Sequence, residues 1–139
     1  MKDVIICIRA IEFLAKDVHY RSSDEWFYAL HLLADKVDFG SAVDDLNEAY
    51  FMGFRLVLPP TEKEIYEEVV KKCADVRTLD NKALITALQE ACMTGVLVVE
   101  AAKHENGLPS GVHAILDGIS QTMLTIKGLC WRSVVSLSE

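Results

Sequence analysis

Apolar residues recur at helical spacing along almost the whole chain of 139 residues, and few residues interrupt the pattern. In the first segment, Val4, Ile8 and Ile11 follow the spacing of three and four that is typical of an amphipathic helix. Only seven glycines and three prolines are present, so breaks in such helices are rare. The hydrophobic content of 51% is that of an ordered domain with a buried core. We therefore predict one all-α domain spanning residues 1–139.

Caps and breaks divide this domain into five predicted helices. They cover residues 3–20, 24–56, 61–75, 80–104 and 110–136. The second helix is interrupted at 38–41, where a glycine weakens the helix and a serine can cap a new one. Pro59 and Pro60 end it, and Thr61–Glu64 reads as a capping box for the short third helix. A polar link at 77–81 precedes the fourth. Long helices with short links favour an up-down bundle.

Charge and hydropathy narrow the class of protein. The net charge of −7 argues against nucleic-acid binding, because phosphate contacts need clustered lysine and arginine side chains. The mean hydropathy of +0.21 is slightly high for a soluble monomer and favours a homo-oligomer. Trp131 is expected in core or interface packing. The N terminus has no signal-peptide pattern, and no segment approaches the roughly 18 apolar residues of a membrane span. A cytoplasmic protein that does not contact membranes is therefore predicted.

The four cysteines are far apart and have no metal-binding spacing. They are Cys7, Cys73, Cys92 and Cys130. Each falls in an apolar stretch that reads as helix, where a thiol behaves as a small hydrophobic group. We therefore predict buried, reduced thiols; a redox role is the alternative.

Five potential metal ligands lie in the first third of the chain. They are His19, His31, Asp35, Asp44 and Glu48. Imidazoles and carboxylates together form the mixed nitrogen and oxygen set that iron accepts. Members of the pairs His31–Asp35 and Asp44–Glu48 are four residues apart, so in a helix each pair shares a face. The sequence predicts a metal site among bundle helices; the alternative is that the acidic pair is merely a solvated helix face.

The order of these residues resembles that of a known family. His19 is followed by the aromatic Phe27, by the pair His31 and Asp35, and then by Asp44, Glu48 and Gly53. This order, with a last helix that follows a glycine-containing turn and ends near Trp131, resembles the Dps-like mini-ferritins of the ferritin superfamily. The resemblance implies a ferritin-like four-helix bundle with a short extra helix in the middle connection.

The resemblance also implies a function. In such proteins iron lies between two subunits related by a two-fold axis, within a shell of twelve. By resemblance, His19, His31 and Asp35 would come from one subunit, and Asp44 and Glu48 from the other. The implied activity is that of a ferroxidase, which stores iron or protects against peroxide. No DNA-binding tail is present, so DNA binding is not expected.

A second function remains open because of one spacing. Asp35 and Asp44 are nine residues apart, whereas the resembled family has eleven. In an ideal helix nine residues end about half a turn away from the starting face. Either the interruption at 38–41 restores the phase, or Asp44 and Glu48 do not complete the site. The alternatives are therefore a non-enzymatic ferritin-like assembly protein with a degenerate metal centre and a plain helical interaction module.

Overall fold

The structure, a computed structural model, describes most of the chain and contains five long or medium helices in the described part. The described residues are 2–21, 30, 33, 36–37, 39–53, 62–105, 107–108 and 111–138. The helices are α1 (Lys2–Tyr20), α2 (Gly40–Gly53), α3 (Glu62–Lys72), α4 (Asn81–Ala102) and α5 (Val112–Ser138). A 3-10 turn, Val76–Thr78, precedes α4. No strand occurs within these ranges, which confirms the all-α prediction.

The predicted interruption of the second helix is confirmed, although it begins earlier than 38–41. The backbone N–H of Lys36 donates to the carbonyl of Leu33 at 3.1 Å. This hydrogen bond spans three residues, as in a tight turn at a helix end. Phe39 is outside a helix and its side chain is buried, so the interruption is anchored in the core. Gly40 then opens α2 instead of breaking it.

The link before α4 is more ordered than the polar link predicted at 77–81. Its 3-10 turn buries the side chain of Val76 in the core. Asp80 caps α4, since its Oδ1 accepts a hydrogen bond from the backbone N–H of Ala83 at 2.7 Å. This cap explains why α4 begins at the position that was predicted.

Helix α4 is the central helix of the described part and packs against both α1 and α5. Its buried residues recur at spacings of three and four: Leu84, Ile85, Leu88, Cys92, Gly95, Val99 and Ala102. The α5 and α1 side chains come close to α4 at Gly95, because a Cβ there would lie 2.8 Å from Met123 Sδ and 3.6 Å from Ile11 Cδ1. Helix α2 packs on α5, and α3 packs on α1.

Helices α4 and α5 form an antiparallel hairpin. Gly95 in the middle of α4 meets Met123 in the middle of α5. Lys103, at the end of α4, pairs with Asp117 near the start of α5 and with Glu100 at 2.8 Å. Residue numbers thus rise along one helix as they fall along the other.

Helices α1 and α4 are also antiparallel. Arg21, just beyond α1, reaches the carbonyl of Leu79 just before α4, whereas Ile11 reaches Gly95 farther along α4. In an up-down bundle the first and third long helices are parallel. The relation of α1 to α4 departs from that order, and an up-down bundle stays a prediction.

Among the described helices, α4 is long and apolar enough to cross a membrane by length and composition. The prediction that no segment approaches such a span is therefore wrong. About 33% of the apolar window of α4 is buried, and these side chains pack against α1 and α5. A core helix passes the same test of length and hydropathy, so this property of α4 is weak evidence for a membrane span.

Candidate metal centre

Three of the five predicted ligands lie in the described part of the chain. His19 is exposed in the last turn of α1, and its ring meets that of Tyr20 edge-on with centroids 6.2 Å apart. His31 and Asp35 lie outside the described residues. The predicted position of His19 near the end of the first helix is confirmed.

Asp44 and Glu48 form an outward-facing acidic pair on α2. Leu46, two residues from each, is buried. Two residues correspond to about 200° around a helix, so Asp44 and Glu48 lie on the face opposite Leu46. Both side chains are exposed. Helix α2 contains no lysine or arginine, so no basic residue of the same helix neutralises the pair. The expectation that the two carboxylates share a helix face is confirmed.

Asp45 has a different position from its acidic neighbours. It lines a groove of about 270 Å³ between α2 and α5, together with Ser41 and Thr122. Asp44 and Glu48 do not line this groove. The acidic pair therefore projects away from the neighbouring helix, whereas Asp45 borders it.

The interruption before α2 changes the meaning of the nine-residue spacing. Lys36 and Phe39 are not helical, so Asp35 and Asp44 do not belong to one continuous helix. The half-turn offset holds only for an uninterrupted helix. The nine-residue spacing is therefore no argument against a metal site that combines Asp44 and Glu48 with the other three predicted ligands.

Within the described part of a single chain, no three His, Cys, Asp or Glu side chains converge on a point where they could hold a metal ion. His19 ends α1, while Asp44 and Glu48 face outwards from α2. The described predicted ligands therefore lie in two places, with His19 on α1 and Asp44 and Glu48 on α2. Their nitrogen and oxygen donors are of the kinds that iron accepts.

The thiols are poor metal ligands at neutral pH. Burial raises the pKa of Cys130 to about 12, and burial together with the neighbouring Cys130 raises that of Cys92 to about 12. The prediction of buried thiols is confirmed for Cys7, Cys92 and Cys130. It is wrong for Cys73, which is half-buried in the turn after α3. A metal binds the thiolate form of cysteine. Because Cys92 and Cys130 stay protonated at neutral pH, they do not compete for metal.

Arg21 is a positioning residue that the sequence did not reveal. Its Nη2 lies 2.9 Å from Asp17 Oδ2 and donates to the carbonyl of Val76 at 2.7 Å, while Nη1 donates to the carbonyl of Leu79. These contacts fix the end of α1, and with it His19, against the turn before α4. No local signal could have found them, because the accepting carbonyls are 55 and 58 residues away.

No family model, curated protein or solved structure matches the chain. The functional assignment therefore depends on the residues and on their geometry.

Proposed function

We propose that the chain is a Dps-like, ferritin-like protein that binds and oxidises iron at a site between two subunits. The observation that carries this proposal is the outward-facing pair Asp44 and Glu48 on α2, which is exposed and lacks a basic residue on its own helix. A ligand shared between subunits must face out of its own subunit. His19 is exposed as well, at the end of α1.

The helix directions support a ferritin-like four-helix bundle. Helix α1 is antiparallel to α4, and α4 is antiparallel to α5. If the second helix is antiparallel to the first, the chain must return along the bundle between α2 and α4. The connection 54–80 has the length for this crossover and contains α3. Ferritin-like folds are bundles with one such crossover.

Ligand chemistry supports iron as the substrate of this site. Carboxylates favour ferric iron, and imidazoles also accommodate ferrous iron. In the proposed site, His19, His31 and Asp35 of one subunit meet Asp44 and Glu48 of its partner. Two ferrous ions oxidised there give one electron each to one peroxide, which takes up two protons and leaves as two water molecules; with oxygen as oxidant, four ferrous ions and four protons give two waters. The iron leaves as ferric product. The result is iron storage or protection against peroxide.

Exposed apolar side chains support self-association. Leu97 on α4 is 72% exposed and Trp131 on α5 is 60% exposed. Leu124, Trp131 and Val135 are separated by seven and four residues, so they form one stripe along α5. Apolar surface of this kind is typical of subunit contacts. A homo-oligomer covers it, and the resemblance puts the number of subunits at twelve.

Anaerobic titration with ferrous iron, followed by addition of peroxide, tests the proposal. The wild type should bind iron saturably and then develop ferric absorbance. Two double variants, His31→Ala/Asp35→Ala and Asp44→Asn/Glu48→Gln, should each weaken binding by more than about tenfold, since even outer-shell partners are worth about 10–100-fold.

A charge-matched control separates ligation from general electrostatics. Asp3→Asn/Glu67→Gln changes two exposed carboxylates on α1 and α3, and should leave iron binding unchanged. Binding that is absent in the wild type, in a protein that is still a helical oligomer, would refute iron oxidation. That outcome would favour the assembly protein with a degenerate centre.

A further inference from the structure

A second candidate site lies away from the acidic pair. It is a cavity of about 390 Å³ between α1, α4 and residues 71–79. Small and aliphatic side chains form most of its wall: Ala10, Leu14, Val76, Leu79, Ala87 and Ala91. The volume is within the range of about 300–1,000 Å³ that proteins use for small ligands. At about 30 Å³ per molecule, it has room for about a dozen waters.

One end of the cavity carries a cation beside two thiols. Lys72, Cys7 and Cys73 all line it. Burial raises the pKa of both thiols, and the nearby Lys72 ammonium opposes that rise in each case. The Asp3 carboxylate raises the pKa of Cys7 as well, but its effect is smaller than that of Lys72. Within the described ranges no carboxylate forms an ion pair with Lys72, in contrast to Lys103, which has two such partners. The thiol end therefore offers a positive charge to a ligand.

Two carboxylates, Glu90 and Asp75, also line the cavity. Neither of them affects the pKa of Cys7 or of Cys73, whereas Lys72 affects both. Asp75 is exposed in the turn after α3. Lys71, the remaining charged residue of the lining, adds a second positive charge next to Lys72. The cavity thus has an apolar wall with a cationic end.

We propose that this cavity binds a small, soluble amphiphile with an aliphatic body and one anionic head group. The head group, a carboxylate or a phosphate, lies at Lys72, and the body lies along Leu14 and Ala91. Each methylene that enters the cavity tightens binding about fourfold, which corresponds to about 0.8 kcal/mol. This site is independent of the proposed iron chemistry.

Calorimetric titration of the full chain with octanoate tests the proposal. Saturable binding is expected, and hexanoate, which is two methylenes shorter, should bind about 15-fold more weakly. Octylammonium has the same body and the opposite charge, and should not bind. Lys72→Gln should weaken octanoate binding about tenfold, since it removes a charge-assisted contact. The matched control Lys82→Gln, outside the cavity lining, should have no effect.

Two further measurements place the ligand. Octanoate should slow alkylation of Cys73, because this thiol lines the cavity. Ala91→Phe places a ring where the aliphatic body is proposed to lie, and should abolish binding while circular dichroism stays helical. Any one of three results would overturn the proposal: octylammonium binds as tightly as octanoate, Lys72→Gln binds octanoate as the wild type does, or octanoate shows no saturable binding.

The source of the anionic head group and the independence of this site from the iron site are tested separately. Phosphatidylglycerol vesicles should not sediment with the protein. Sedimentation that is lost in Lys72→Gln would overturn the assignment to a soluble amphiphile in favour of a lipid surface. His31→Ala/Asp35→Ala should bind octanoate as the wild type does, so failure of the iron proposal leaves this one testable.

Discussion

The two buried thiols at the contact between α4 and α5 predict a specific loss of stability at alkaline pH. Burial raises the pKa of Cys92 and of Cys130 to about 12, from 9.0 for an ordinary thiol. A group whose pKa is raised in the folded state stabilises that state fully below its unfolded pKa. The stabilisation is lost as pH rises from 9 towards 12, because the unfolded chain releases a proton that the folded chain retains.

The size of this loss follows from the two pKa values. At pH 10 ionisation stabilises each unfolded thiol by about 1 kcal/mol, while the folded thiols remain almost fully protonated. At pH 8 the same effect is negligible, because the unfolded thiols are also mostly protonated. Between pH 8 and pH 10 the pair should therefore lower the free energy of unfolding by about 2–3 kcal/mol. That is a large part of the total stability of a small domain, about 5–15 kcal/mol.

Urea unfolding under reducing conditions, followed by circular dichroism at pH 8, 9 and 10, measures this loss. The matched variant is Cys92→Ala/Cys130→Ala, in which all other titrating groups are kept. Its free energy of unfolding should fall by about 2–3 kcal/mol less than that of the wild type between pH 8 and pH 10. The same pH dependence in both proteins would refute the reasoning, since it would mean that neither thiol is shielded from water in the folded state.

Three further predictions concern packing and assembly. Arg21→Ala should lower the free energy of unfolding in urea by about 2–3 kcal/mol, because two half-buried carbonyls lose a charged donor. Arg9→Ala, which removes an ion pair within one helix, should cost less than about 1 kcal/mol, and equal costs would contradict the role of Arg21. Gly95→Val should destabilise by about 1–3 kcal/mol through collision with the α5 side chain that faces it. Gly118→Ala, where nothing lies within 4 Å of an added Cβ, should stabilise by up to about 1 kcal/mol. If thermal unfolding shows the same sign of change for Gly95→Val and Gly118→Ala, the close packing of α4 on α5 at Gly95 is refuted. Trp131→Lys should lower the mass in sedimentation velocity, and an unchanged mass would exclude the α5 stripe from the subunit contact.

Much of the fold could be predicted because its signals are local. Asp80 begins α4 through a hydrogen bond to Ala83, and a capping residue before an apolar run is readable from sequence. The helix directions were not predictable. They depend on long-range packing between the helices, which helical spacing and caps do not encode. The role of Arg21 was equally hidden, since its partners are backbone carbonyls that any residue could supply.

The candidate metal site could also be predicted only in part. A spacing of four residues was enough to predict that Asp44 and Glu48 share a face of α2. The relation of Asp35 to Asp44 was not predictable, because it depends on the backbone at Lys36 and Phe39, which leaves the helix. His31 and Asp35 remain predictions.

Subunit mixing tests the central claim most directly. The variants His31→Ala/Asp35→Ala and Asp44→Asn/Glu48→Gln each lack one half of the proposed ligand set, and each should be inactive alone in peroxide-driven ferrous oxidation. After unfolding and refolding together in equal amounts, random pairing gives about a quarter of the sites an intact half from each subunit. About a quarter of the wild-type ferric absorbance is therefore predicted. No recovery in the mixed oligomer, with an active wild type refolded in parallel, would contradict a site shared between subunits.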